Sequence, residues 1–244
     1  MNGAQLLVQT LRDHGVEHIF GLPGDTGMAF YDALYHEPGI THVMTRDERS
    51  ASFMADVYAR VANRLGVTEG PSGGGATYII PGVAEAHGSA VPLLCLTSDT
   101  PIAQQHRNVL TELDQVALFR PVTRWSERVP VADAMGDATR RAIRMALAGR
   151  PGATHLSLPA DVLDGEVQNP VERGTDERLS DRLPMSRPRA DRDEVARAAE
   201  MIVAASRPVI VAGGGVLASG AWNVLTELAE SCGIPVATSI NGKG

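Results

Sequence analysis

Short apolar runs alternate with amphipathic stretches along the first 165 residues, and that alternation leaves few folds open. "AQLLVQTLRDHG" (4–15) sets Ala4, Leu7 and Leu11 on one helical face and stops at Gly15. "VEHIF" (16–20) then reads as a strand and "GLPGD" (21–25) as a tight turn. "TGMAFYDALY" (26–35) reads as a second helix, capped by Asp25 or Thr26. "THVMT" (41–45) is a second strand, and the helix after it carries Met54, Val57, Tyr58, Val61 and Leu65 at helical spacing, a clean apolar face. "GVTEGPSGGGATYIIPGVAEAHG" (66–88) is a glycine-rich loop running into a helix, its opening "VTEGP" unusually polar for a strand. "SAVPLLCLTSD" (89–99) is a buried strand. "DAMGDATRRAIRMALAG" (133–149) is an amphipathic helix and "ATHLSLPADV" (153–162) a last strand. Strands and helices in such short alternation predict an α/β domain over 1–165, a parallel sheet flanked by helices.

Residues 166–192 are charged, bear prolines and lack apolar periodicity, which predicts a linker. Residues 193–244 then read as the first part of a second, Rossmann-like α/β domain. "DEVARAAEMIVAAS" and "AWNVLTELAESCG" are its helices, "RPVIVAGGGV" and "IPVATSI" its strands. Two strands do not make a stable sheet alone, so this domain is expected to be incomplete and finished by further chain or by a partner.

The formal net charge of −7 argues against a general nucleic-acid surface. Cys95 and Cys232 form no CxxC pair, so neither a disulfide framework nor a zinc site is expected, and a cytoplasmic protein is the default. Arg12, Asp13, Glu17 and Asp25 argue against a signal peptide, and "VPLLCL" (91–96) is too short to span a bilayer.

In open parallel sheets ligands sit beyond the carboxyl ends of the strands. The segments 21–25, 46–49 and 70–77 are expected there, with glycines that let backbone approach a flat ligand. "AGGGV" (212–216) lacks the G-x-G-x-x-G spacing, because position 218 is alanine, so a nucleotide-binding module is weakly supported. No metal-ligand spacing links the seven histidines, and Ser72 has no G-x-S-x-G elbow. Asp47 and Glu48 open a helix, where spacing alone casts both as first-turn acids favouring the helix dipole.

Six segments in order change that reading: "GLPG" (21–24), "RDERSASFMADVYAR" (46–60), "PSGGGAT…PGVAEAHGSAVPLLCLTSD" (71–99), "ELDQVALFRPVTRWS" (112–126), "GRPGATHLSLPADV" (149–162) and "RPVIVAGGGV…LAESCGIPVATSINGKG" (207–244). Together they resemble the amino-terminal, pyrimidine-binding half of thiamine-diphosphate enzymes of the acetolactate-synthase group. The resemblance implies that Glu48 is the catalytic acid, hydrogen-bonded to N1′ of the coenzyme aminopyrimidine and favouring its imino tautomer. It implies that Leu22, Pro23, Gly24, Gly74 and Tyr78 lie near the pyrimidine. The family's usual "SGPGATN" reads "SGGGATY" here, with Gly74 for proline and Tyr78 for asparagine, and Asp47 stands where a histidine or aromatic is usual. Leu110 and Thr111 replace the Phe-Gln pair of acetolactate synthases near the substrate, and "TELDQ" (111–115) replaces the histidine pair of simple pyruvate decarboxylases.

The family holds its diphosphate and Mg2+ with Gly-Asp-Gly and a later asparagine in a separate domain. No Gly-Asp-Gly occurs here, so a second subunit or missing half is expected to supply it, in a homodimer or heterotetramer. No metal ligand is expected in this chain, and FAD or an adenine nucleotide is possible in the second domain without specific support. The expected enzyme is a lyase or transferase, a decarboxylase or carboligase of 2-keto acids. The alternative is a non-catalytic pyrimidine-domain protein that scaffolds or regulates a partner subunit.

Overall fold

The computed structural model describes residues 1–169 and 182–243. Contacts divide the chain into two units, Met1–Met185 and Ser186–Gly244. The first runs α1 (Gly3–Asp13), β1 (His18–Gly21), α2 (Met28–Tyr35), β2 (Thr41–Met44), α3 (Glu48–Ala62), β3 (Gly66–Gly70), α4 (Gly74–Tyr78), α5 (Ile80–Gly88), β4 (Leu93–Asp99), α6 (Gln115–Phe119), β5 (Trp125–Arg128), α7 (Met135–Leu147), β6 (Ala153–Pro159) and α8 (Ala160–Asp164). The six strands form one sheet in the order β2-β1-β3-β4-β6-β5, every neighbouring pair parallel. This is the α/β architecture that the alternation predicts.

The chemistry of the strands explains the layering. In β4, Leu94 and Leu96 point into one core with Leu7, Leu11, Phe30 and Ile143, while Leu93 and Cys95 point into the other with Ala51, Ala55, Ile79 and Val83. Helices α1, α2, α7 and α8 cover the first face; α3, α5 and α6 cover the second. A strand covered on both sides reads as a continuous apolar run rather than an alternating one. Each fully buried leucine of β4 contributes about 1.5–3 kcal/mol by leaving water. At the start of α1, Asn2 and Gln5 form a reciprocal capping box that satisfies two free backbone donors.

Two expectations need correction, and one strand is additional to those expected. Neither Asp25 nor Thr26 caps α2 through its side chain; a 3-10 turn over Asp25–Gly27 leads into the helix, and Gly27 is the cap residue. The Thr26 hydroxyl is turned instead toward Ser72 and Ser98. Residues 125–128, too polar to read as a strand, form β5 at the sheet edge, where one row of partners suffices. Of the expected apolar face of α3, Tyr58 packs its ring on His18 and Phe20 of β1, but Met54, Val57 and Val61 do not meet the sheet. The buried side of α3 is Ala51, Ser52, Ala55, Asp56 and Ala59, and Leu65 lies beyond the helix end. Small residues are needed there because α3 sits close on β3. A β-carbon on Gly66 would lie 2.3 Å from the Ala55 carbonyl oxygen, and one on Gly82 of α5 would lie 2.4 Å from Ser52 Oγ. Met54, Val57 and Val61 therefore face outward, and with Phe20, Phe53, Tyr58 and Ala62 they line an open apolar groove of about 660 Å³.

A buried polar cluster ties three strands together. His155 of β6 is stacked on Phe119 with ring centroids 3.8 Å apart. Its Nε2 lies 2.7 Å from Thr97 Oγ1 of β4 and its Nδ1 2.8 Å from Ser126 Oγ of β5. Thr97 donates its hydroxyl to Gln115 Oε1. It therefore accepts from Nε2–H, and Nδ1 accepts from Ser126, which fixes a neutral tautomer. Burial pushes this imidazole down to about 3.

The second unit contains α9 (Arg192–Ala204), β7 (Ile210–Ala212), α10 (Gly214–Ala218), α11 (Trp222–Cys232) and β8 (Val236–Thr238), with β7 and β8 paired in parallel. Asp191 caps α9 by accepting from the amides of Asp193 and Glu194. Of the expected 166–192 linker, residues 170–181 lie outside the described residues. Among the described residues no helix is long and apolar enough to cross a membrane.

Candidate active site

The strand order places β1 between β2 and β3, so the chain leaves β1 to one side and returns on the other. Crevices at such a reversal are where ligands bind in open α/β sheets. Three loops meet there. The turn after β1 touches the turn after β3: a β-carbon on Gly24 would lie 2.3 Å from Pro71 Cβ. Gly73, at φ +65°, packs against Thr111, whose Cβ would be 2.7 Å from an added methyl. Helix α3 enters from the third side, its approach fixed by Thr45, which donates to the Gly21 carbonyl at 3.2 Å and the Asp47 carbonyl at 3.0 Å.

The two acids at the start of α3 have separate tasks. Asp47 is the cap residue; its carboxylate accepts from the Arg49 amide at 2.8 Å and pairs with the Arg49 guanidinium at 2.5 Å. Those Arg49 hydrogen bonds hold the half-buried Asp47 carboxyl down to about 2. Glu48, the first helical residue, is not needed to start the helix, and its side chain turns inward to 8% exposure. It lies against the glycine loop, with Cγ 3.6 Å from the place a Gly70 β-carbon would take and Oε1 3.2 Å from that of Gly75. A Gly75 β-carbon would also lie 2.5 Å from Pro71 Cδ, so only glycine lets the loop close beneath this carboxylate.

The other expected site residues divide. Gly24 and Thr111 join the cluster through Pro71, Gly73 and Ser72. Leu22 is half-buried and Pro23 exposed on the turn after β1. Gly74 is exposed, with Tyr78 Cε2 3.9 Å from where its side chain would begin. Tyr78 projects outward with the Arg49 guanidinium 5.9 Å from its ring centre. Leu110 is 87% exposed and is not drawn into the cluster. Among the described residues no group of three or more His, Cys, Asp or Glu side chains could hold a metal ion.

One acid on the opposite face of β3 was not singled out by the sequence. Glu69 is 1% exposed, and burial in the centre of the sheet pushes its carboxyl up to about 8. The polarity of "VTEGP" was its only signal.

Comparison with known proteins identifies the family. Residues 1–118 match the thiamine pyrophosphate enzyme N-terminal TPP binding domain, and residues 195–244 match the central domain of the same enzymes. The whole chain is 37% identical to a probable acetolactate synthase large subunit of Methanocaldococcus jannaschii, covering 41% of its length. It is 34% identical to the acetolactate synthase isozyme 3 large subunit of Escherichia coli K12, covering 42%. It is 33% identical to the glyoxylate carboligase of Escherichia coli O157:H7, covering 40%. The chain thus spans about two-fifths of the length of these curated relatives. With its parallel sheet, its glycine loop beneath a buried acid and these two domain matches, the chain belongs to the thiamine pyrophosphate enzymes, of whose N-terminal domain its first unit is a representative.

Proposed function

We propose that this chain supplies the aminopyrimidine side of a thiamine-diphosphate site in a carboligase or decarboxylase acting on 2-keto acids. The observation that carries it is the burial of Glu48 against Gly70 and Gly75, while Asp47 alone caps the helix. The residues fit the group. Glycines 70 and 75 keep side-chain bulk away from the carboxylate, and the exposed backbone of Gly74 is free to lie against a ring. Glu48 would hold and share a proton at N1′ of the pyrimidine; Gly24, Gly74 and the half-buried Leu22 would bound the ring, with Pro23 and Tyr78 at its outer edge. Thiamine diphosphate, when bound, contributes a nucleophilic carbon and an electron sink for making or breaking a bond beside a carbonyl. Thr111 stands at the lip of the loop, where it would meet the substrate.

The diphosphate and Mg2+ would be held by a partner's domain. We place that partner on the apolar groove of α3, because the groove lies on the very helix that Glu48 begins, so one docking event covers the groove and closes the site. Titration of thiamine diphosphate with Mg2+, followed by calorimetry, tests this. The chain alone is expected to give no resolvable binding, and the chain with its diphosphate-domain partner to give saturable binding. Val57→Glu, a charge in the groove far from the carboxylate, is expected to weaken assembly by tenfold or more and to abolish the binding seen at limiting partner. Saturable binding by the chain alone, or normal assembly of Val57→Glu, would refute the arrangement.

A further inference from the structure

Strand β3 crosses the middle of the sheet, covered on both faces, yet it carries an acid. Glu69 Oε2 accepts from the hydroxyl of Tyr31 on α2, and Oε1 has no hydrogen-bond partner among the described residues. A buried oxygen left unpaired is costly, and its place in a central strand calls for a cause. Oε1 points at Gly27, and Ser98 Oγ of β4 approaches the same spot: each lies 3.5 Å from where a Gly27 β-carbon would sit. From Ser98 a file of hydroxyls runs outward. Ser98 Oγ is 2.7 Å from Thr26 Oγ1, Thr26 Oγ1 is 3.1 Å from Ser72 Oγ, and Ser72 Oγ is 2.7 Å from Thr111 Oγ1. Thr111 is half-buried and rests on Gly73 of the candidate-site loop. On the other side of Glu69, the Tyr31 hydroxyl lies 3.4 Å from Nε2 of the half-buried His42 on β2.

We propose that Glu69 is the proton reservoir of this site: its carboxylic-acid proton passes through one bridging water to Ser98, then along Thr26, Ser72 and Thr111, to the substrate atom that becomes basic at the lip of the glycine loop. At each step one O–H bond breaks as the next forms, so every hydroxyl ends as it began. Glu69 is left as a carboxylate and is refilled from solvent by way of His42 and Tyr31. The titratable groups facing it are Tyr31 from α2, His42 from β2, Glu48 from α3 and Cys95 from β4. None is a cation at neutral pH, His42 being held neutral by burial. Burial and the Glu48 charge keep the Glu69 proton in place up to about pH 8. The inference rests on the reading of Glu48 as the coenzyme-facing acid, because that reading supplies the basic atom.

Two measurements test it. Infrared titration of the chain, without coenzyme, should show a protonated carboxyl band at pH 7 that fades toward pH 9 and is absent from Glu69→Gln. In the assembled enzyme, with a 2-keto acid that the wild type turns over, Glu69→Gln and Thr26→Val should each lower kcat about tenfold with KM little changed. Both should enlarge the solvent deuterium isotope effect, and the decline of wild-type kcat above pH 8 should vanish in Glu69→Gln. A purely structural Glu69 would leave kcat and the isotope effect of the isosteric glutamine variant unaltered, and that result overturns the proposal. So does a chain whose pH 7 spectrum has no band that Glu69→Gln removes. The infrared arm needs no coenzyme, so its failure is separable from failure of coenzyme binding in the assembly.

Discussion

Glu48→Gln is expected to lower kcat/KM of the assembled enzyme by about 100- to 1,000-fold, a loss of roughly 3–4 kcal/mol of transition-state stabilisation. Glutamine keeps the length and the hydrogen-bonding shape but cannot exchange a proton with the ring nitrogen. Glu48→Asp should fall in the same range for a different reason: its carboxylate stops one methylene short of the space above Gly70 and Gly75. Neither substitution should unfold the chain, because the helix is capped by Asp47 and not by Glu48. Stability within about 1 kcal/mol of the wild type is therefore expected alongside the lost turnover. The converse substitution, Asp47→Ala, should lower stability through the lost cap while leaving turnover per folded molecule intact. Steady-state kinetics and urea unfolding on the same preparations check both halves. Turnover by Glu48→Gln within threefold of the wild type would rule out the role assigned to this acid.

His155→Ala is expected to have the largest effect on folding. The ring is 0% exposed, is stacked on Phe119, and bridges Thr97 and Ser126 across three strands. Truncation leaves a cavity, and leaves the buried Thr97 and half-buried Ser126 hydroxyls with one partner fewer, together about 3–4 kcal/mol, or roughly 6–16 °C in Tm for a chain of this size. The wild type should also carry an acid signature. In the unfolded chain this imidazole takes up its proton near 6.5, whereas in the fold it stays neutral to about 3. Its contribution is thus complete above pH 6.5 and is lost as pH falls, by up to about 1.4 kcal/mol per pH unit. His14 and His42, both lowered by burial, act in the same direction. The slope of stability between pH 6.5 and 4 should therefore be shallower in His155→Ala without disappearing. Equal slopes would show that this imidazole is not held neutral.

Much of this was legible in the residues, for reasons that differ along the chain. The run 93–96 is apolar on both strand faces because helices cover both, so it could only be a central strand. The glycines at 70, 73 and 75 announced a close backbone approach, and each now has a named neighbour: Glu48, Thr111 and Pro71. The orientation of α3 was not legible. Periodicity identifies an apolar stripe but not what the stripe faces, and here close approach to β3 demanded alanines on the sheet side. Strand β5 escaped notice because an edge strand needs little apolar surface. Glu69 escaped because a lone acid in a short strand looks like a turn residue until its burial is seen. The division between Asp47 and Glu48 was equally hidden: two adjacent acids have one signature in sequence and two environments in space.

Gly66 at the start of β3 leaves no room between the strand and the backbone of Ala55. Ala55 follows Glu48 by seven residues, about two helical turns, and the abutment there sets how closely α3 seats on β3. The reach of the acid is thereby governed from a place no reactant visits. Bulk introduced at that distant weld is expected to push α3 off the sheet and shift the carboxylate without altering it, a lesion that would masquerade as damage to the acid itself.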